Sequence, residues 1–168
     1  LVTVLSWFNN RHERGKTVIM AEIARRATAK GNRILFVVHR QEIVQQVIKT
    51  FKANDVNMDL AKIGMVQTIT RHVNNLDPPA IIFVDEAHHV LAKSYRRILD
   101  AFPKAYKLLF TATPYRLGGQ GFTNVADDLI VGKSVPWLID HHFLASVDYY
   151  APSYIDAAKL KVKRTGEY

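Results

Sequence analysis

Short, mostly apolar runs alternate along the chain with longer stretches whose apolar residues recur every three or four positions. Residues 1–5, 33–38, 80–84 and 107–110 are runs of the first kind. Their length suits strands, and their near-continuous apolar character suits burial on both faces of a parallel sheet. Helical spacing fills the gaps at 17–30, 41–53, 66–73 and 87–102. In 17–30 the residues Val18, Ile19, Ile23 and Ala27 fall on one face, and Gly31 supplies the stop. In 41–53, Ile43, Val44, Val47, Ile48 and Phe51 make one stripe. In 87–102 the inward set is Val90, Leu91, Tyr95, Ile98, Leu99 and Phe102. Asp77-Pro78-Pro79 breaks the chain just before the clearest strand, and Gly118, Gly119 and Gly121 mark a glycine-rich turn. Residues 127–150 predict strand, short helix, strand. The repeated strand-then-helix order predicts an α/β fold around a central, mostly parallel sheet.

Composition narrows this picture. The 168 residues are enough for one domain with a substantial core. That domain is expected over 1–150, with the polar, basic residues 151–168 as a linker stub. Without cysteine there are no disulfides and no Cys-based zinc sites, which permits a cytoplasmic location. No run approaches the roughly 20 apolar residues of a membrane span, and residues 1–5 lack the basic leader of a signal peptide. The formal net charge of +8 favours a polyanionic partner such as nucleic acid. Many basic proteins have no such partner, so charge alone leaves the matter open.

Three motifs carry candidate chemistry. Asp85-Glu86-Ala87-His88 comes directly after the apolar run Ile81-Ile82-Phe83-Val84. Ligands of open α/β sheets bind at the carboxyl ends of strands. An aspartate there suits Mg²⁺ and phosphate oxygens, and the next carboxylate suits activation of a water. The bland alternative is an acidic helix start that meets the helix dipole. Gly15-Lys16-Thr17 opens a helix after the first strand, like the tail of a phosphate-binding loop. There lysine reaches the β- and γ-phosphates, and the threonine hydroxyl ligates Mg²⁺. Thr111-Ala112-Thr113-Pro114 closes the strand at 107–110. Its hydroxyls suit bonding to the acidic pair, or merely a turn before proline. The neighbouring histidines His88-His89 and His141-His142 diverge by about 100° on a helix and do not predict a zinc site. Trp7 and Phe8 fit either base stacking or packing on the domain's own surface.

The order of Gly15-Lys16-Thr17, Val38-His39-Arg40-Gln41-Glu42, Val66-Gln67-Thr68, Asp85-Glu86-Ala87-His88 and Thr111-Ala112-Thr113-Pro114-Tyr115-Arg116-Leu117 resembles that of the DEAD/DEAH-box helicase superfamily. It looks closest to the branch of phage helicases and type III restriction motor subunits, and it covers nearly the whole chain. The resemblance implies a first RecA-like domain, a three-layer sandwich with a central mostly parallel sheet. It implies an ATP-dependent helicase or translocase acting on nucleic acid, with DNA the favoured partner, and ATP and Mg²⁺ as cofactors. Gly15, Lys16 and Thr17 would hold the phosphates, Thr17 and Asp85 the metal, and Glu86 would be the catalytic base. His88, Thr111 and Thr113 would couple hydrolysis to movement. Arg40, Gln67, Thr68 and Arg116 would lie along the strand.

The chain also departs from the family. Relatives read Pro-Thr-Gly-small before Gly-Lys-Thr, whereas Ser6 to Arg14 here is longer and has Glu13 in place of the cradle glycine. A carboxylate there repels phosphate, and its side chain crowds the backbone N–H cradle. Arg11 and Arg14 offset part of that charge, and Asn10 suits the first loop position. The segment 54–65 is short for its family position. The upstream glutamine motif and the second RecA-like domain, with its arginine finger, would lie outside 1–168, so the chain alone is not expected to unwind duplexes. Two readings stay open: a motor ATPase domain, and a non-hydrolysing helicase-like binding module with a disrupted phosphate loop. A nucleotide kinase is disfavoured, because it needs no strand-coupling motif.

Overall fold

The computed structural model describes residues 2–6, 13–87, 90, 92–111, 126–133, 135–143 and 145–146. The chain divides into two compact units, 1–135 and 136–168. The first is built on six strands: β1 (Val2–Ser6), β2 (Ile34–Val38), β3 (Ala61–Met65), β4 (Ile81–Val84), β5 (Tyr106–Thr111) and β6 (Asp128–Val131). They lie in the order β3-β2-β4-β5-β1-β6, and every pairing is parallel.

Four helices cover the sheet: α1 (Glu13–Ala29), α2 (Gln41–Ala53), α3 (Val66–His72) and α4 (Lys93–Ala101). Side chains alternate across a strand, so each central strand feeds two cores. Phe36, Val38, Phe83 and Phe110 pack with Met20, Ala21 and Ala24 of α1 and Val44, Val47 and Phe51 of α2. Leu35, Val37, Ile82, Val84 and Leu109 pack with Ile69 of α3 and Tyr95 and Ile98 of α4. The result is the expected three-layer RecA-like α/β sandwich. Helices after β1 and β2 lie on one face and those after β3 and β4 on the other. Parallel crossovers of one hand require this when the chain first moves one way along the sheet and then the other.

An aromatic ladder crosses the first core. The rings of Phe36 and Phe83 stack at 5.7 Å, those of Phe83 and Phe110 at 6.4 Å, and Phe51 meets Phe36 edge-on at 5.5 Å. Phe83→Leu keeps most of the volume but removes both stacking contacts of the middle ring. It is expected to cost about 1–2 kcal/mol, read as a lower denaturant midpoint at unchanged slope.

The helix α2 has the expected bounds, and the strands agree to within a residue or so. Three expectations are corrected. The helix α1 begins at Glu13, four residues before the expected Thr17. An acidic residue followed by arginine is a favourable helix start, which extends the helix toward the loop. Its inward face is Met20, Ala21, Ala24, Ala27 and Thr28, while Val18 is 50% exposed. Small alanines let the helix approach the sheet, so the larger β-branched residues do not mark the buried side. The helix α4 starts at Lys93 rather than Ala87. Before it, the Val90 N–H donates to the Ala87 carbonyl at 2.9 Å.

The strand β3 is an addition. Ala61-Lys62-Ile63-Gly64-Met65 has little strand character, but full register with β2 from Ile34–Ala61 to Val38–Met65 places it in the sheet. Gly64 admits α3 closely, since a Cβ there would stand 2.9 Å from Ile69 Cδ1. At the other edge, Leu129, Ile130 and Val131 of β6 are exposed.

In the second unit, α5 (Val135–Asp140) carries Trp137, whose ring stacks on His141 at 3.8 Å and on Phe143 at 5.9 Å. The expected strand up to 150 is not formed at 145–146, and its remainder lies outside the described residues. The glycine-rich turn at 118–121, the linker stub 151–168, and Trp7, Phe8, Asn10 and Arg11 also lie outside them. No helix among the described residues is long and apolar enough to cross a membrane.

Candidate nucleotide site

The strand registers align the carboxyl ends of the sheet. Val38 pairs with Met65, Val37 with Val84, Val84 with Leu109, and Ser6 with Thr111. The segments leaving these strands therefore gather along one edge, where open α/β sheets place ligands. Asp85 and Glu86 come directly after β4, and α1 with Lys16 and Thr17 comes after β1.

The two motifs meet. Lys16, Thr17, Asp85 and Glu86 line one narrow cleft, together with Ile43 and Gln46 of α2. Lys16 is largely buried at 8% exposure, which makes its ammonium a wall of the cleft rather than a solvated surface charge. Gly15 lies within the first turn of α1, close to the helix's unpaired N–H groups. The backbone pins Asp85, whose N–H donates to the Val37 carbonyl at 3.2 Å and extends the β4–β2 ladder by one residue. The Glu86 N–H donates to Asp85 Oδ1 at 3.0 Å. Glu86 itself sits at φ +52°, in the left-handed region. A non-glycine residue there carries strain on the order of 1–3 kcal/mol, the kind of strain that clusters at functional sites.

Of the other candidates, Thr111 is fully buried at the end of β5, the strand beside β4. Arg40 precedes α2 as its N-cap residue, and Gln67 and Thr68 stand in the first turn of α3. These last three are exposed along the same carboxyl edge, beyond the neighbouring strands β2 and β3. His88, Thr113 and Arg116 lie outside the described residues. Among the described residues, no group of three or more His, Cys, Asp or Glu converges as a metal site. Sequence reasoning missed Gln46. It sits on the polar side of α2 and becomes a cleft residue only once that helix crosses the sheet edge.

In the core on the α3 and α4 side of the sheet lies Tyr95, 2% exposed, with a buried hydroxyl that has no hydrogen-bond partner. Its phenol is pushed up to about 12, first by burial and then by the charges of Asp85 and Glu86. Above pH 10 the unfolded chain releases this proton while the folded chain keeps it. Stability therefore falls as pH rises from about 10 to about 12. The loss is expected to reach about 2–3 kcal/mol, and Tyr95→Phe should remove that share of the alkaline slope in melts across this range.

An all-parallel sheet in this order, with helices on both faces and both motifs at its carboxyl edge, is the first RecA-like domain of the helicase superfamily. The model of the family described as "Type III restriction enzyme, res subunit" matches residues 14–75 and 57–116, and the chain belongs to that family. The two stretches overlap in 57–75, which takes in most of the segment 54–65. A 51.5 kDa protein of a Lactococcus phage is 39% identical over 154 residues, covering 92% of this chain and 34% of that protein. A Saccharomyces cerevisiae protein described as "Putative ATP-dependent helicase IRC3" is 28% identical over 183 residues, covering 91% of this chain and 26% of that protein. The chain thus spans about a third and about a quarter of these relatives' lengths. In fold it is similar to the UvsW helicase of bacteriophage T4, with a TM-score of 0.60 and 16% identity over 77% of this chain and 54% of that one. It is likewise similar to the Hef helicase domain of Pyrococcus furiosus, with a TM-score of 0.58 and 14% identity over 77% and 34% of the two chains.

Proposed function

We propose that this chain is the first motor domain of an ATP-dependent DNA helicase or translocase, in which ATP hydrolysis drives strand movement. The observation that carries this reading is the convergence of Lys16, Thr17, Asp85 and Glu86 in one cleft. The donor set fits Mg²⁺, which takes few protein ligands, all oxygen, and keeps several waters. Thr17 and Asp85 would hold it, and when bound it would neutralise charge on the β- and γ-phosphate oxygens. Lys16 binds those same oxygens as a fixed cation. Glu86 orients the attacking water and accepts its proton. Thr111 and, by family resemblance, His88 and Thr113 relay the state of the pair to the strand. Arg40, Gln67, Thr68 and Arg116 contact that strand.

Arg40→Ala should weaken binding of single-stranded DNA and lower its salt slope by about one, with Mg-ATP affinity unchanged when DNA is absent. Fluorescence anisotropy across a salt series measures this, and RNA of the same sequence tests the preference for DNA. An unchanged slope removes Arg40 from the strand path.

The second reading, a binding module without ATP turnover, draws on the loop before Gly15. The helix α1 begins at Glu13, the residue that the motif order sets against the cradle glycine of relatives. A folded chain that binds DNA but not Mg-ATP would establish that reading instead.

A further inference from the structure

A polar group that packing does not explain lies in the core on the sheet face opposite α1 and α2. Tyr95 lies in the same buried cluster as Val84 and Ala87, the residues flanking Asp85 and Glu86. Its hydroxyl is buried there without a hydrogen-bond partner. Phenylalanine would fill the same space and leave no donor unmade, so packing and desolvation both favour Phe at this position. The two candidate acceptors, Asp85 and Glu86, stand in the chain between Val84 and Ala87 of that same cluster. The backbone that carries them also has somewhere to go. Glu86 is held at φ +52°, and one oxygen of Asp85 is taken up by the next backbone N–H. A strained turn above an unused donor is a pair of elements with a second arrangement available.

We propose that Tyr95 is a positioning residue for the acidic pair, its buried hydroxyl donating to a Glu86 carboxylate oxygen when the turn at 85–87 shifts as the cleft fills. This rests on the reading of the cleft as a Mg-nucleotide site. Tyr95 does not touch the nucleotide. It fixes the direction of the carboxylate that activates water, from the side of the sheet facing away from α1. In this arrangement the hydroxyl costs stability in the empty state and stabilises the working state.

The test uses the full 168-residue chain with 3-fluorotyrosine at its seven tyrosines, the Tyr95 resonance being the one lost in Tyr95→Phe. That resonance is expected to move in Glu86→Gln and to move again when Mg-ATP is added to the unaltered chain. Tyr95→Phe is expected to melt no lower than the unaltered chain. Its kcat should fall about tenfold, the worth of one hydrogen bond to a charged group, with KM for ATP within about twofold. A merely structural tyrosine would lower the melting temperature and leave kcat alone. A resonance that ignores both Glu86→Gln and Mg-ATP overturns the proposal, as does a Tyr95→Phe chain with unaltered turnover. If the folded chain neither binds nor hydrolyses Mg-ATP, the proposed function fails. If the folded chain binds and hydrolyses Mg-ATP but the Tyr95 resonance stays put when it is added, the positioning role alone fails.

Discussion

Lys16→Ala is expected to lower Mg-ATP affinity roughly a hundredfold or more while leaving the fold intact. Lys16 projects from the first turns of α1 into the cleft that Asp85 and Glu86 close from β4. Two carboxylates and a polyphosphate cannot share a narrow site without a cation among them, since like charges a few ångströms apart repel by several kcal/mol at interior dielectric values. The ammonium of the largely buried Lys16 is one such cation beside the Mg²⁺ that Thr17 and Asp85 would hold, and its removal takes a fixed positive charge away from the phosphates. A hundredfold corresponds to about 2.7 kcal/mol, well within the worth of a charge-assisted contact away from bulk water. The folded chain tolerates the change, because removing the amine eliminates a cost of burial and the stem contributes only modest packing. Equilibrium titration with a fluorescent ATP analogue, alongside far-UV circular dichroism, measures both halves. Affinity within about threefold of the unaltered chain would show that phosphates do not bind at this lysine.

Glu86→Gln should separate binding from hydrolysis. Gln keeps the shape of Glu86 and tolerates the same left-handed backbone to a similar degree, but it cannot accept a proton from water. Turnover is expected to fall by about 10²–10⁴-fold, the range spanned by general-base catalysis. Mg-ATP affinity should hold or rise slightly, because one negative charge has left the cleft. Steady-state phosphate release and nucleotide titration on the same sample test the split. Equal losses in affinity and turnover would assign Glu86 to holding the nucleotide rather than to activating water.

Different parts of this structure are legible in the sequence for different physical reasons. The helix α2 is readable to the residue, because five apolar side chains keep one stripe and both flanks are polar. The strands β2 and β4 are readable because burial on both faces leaves continuous apolar runs. The strand β3 is not, because an edge strand needs little apolar surface and this one has a lysine and a glycine in five residues. Its place depends on backbone pairing with β2, which leaves no mark in composition. The inward face of α1 does not follow from residue size. Large apolar side chains suggest burial, but the sheet accepts the alanines, and Val18 faces out. The late start of α4 follows from the turn at Glu86 and Ala87, where the left-handed residue prevents the helix from running on directly from β4.

The candidate site shows the same division. Its chemistry is readable from Gly15-Lys16-Thr17 and Asp85-Glu86, but their meeting depends on β1 and β4 ending at one edge of the sheet, with β5 between them. Gln46 and Tyr95 carry no sequence signal. Gln46 lies on a polar helix face and joins the cleft only through the packing of α2 at the sheet edge, whereas Tyr95 lies within an apolar stripe in the core on the other face.

Whether the two motifs form one Mg-nucleotide site is read from the Mg²⁺ dependence of ATP binding to the unaltered chain and to Asp85→Asn. Isothermal titration in excess Mg²⁺ and again in excess chelator gives four affinities. The account predicts that ATP binds the unaltered chain tightly only with Mg²⁺. In Asp85→Asn that metal-dependent gain is largely lost, while affinity in chelator holds or rises slightly because one negative charge has left the cleft. An unaltered chain that is folded yet binds no ATP in Mg²⁺, or an Asp85→Asn chain with the full metal-dependent gain, would contradict it.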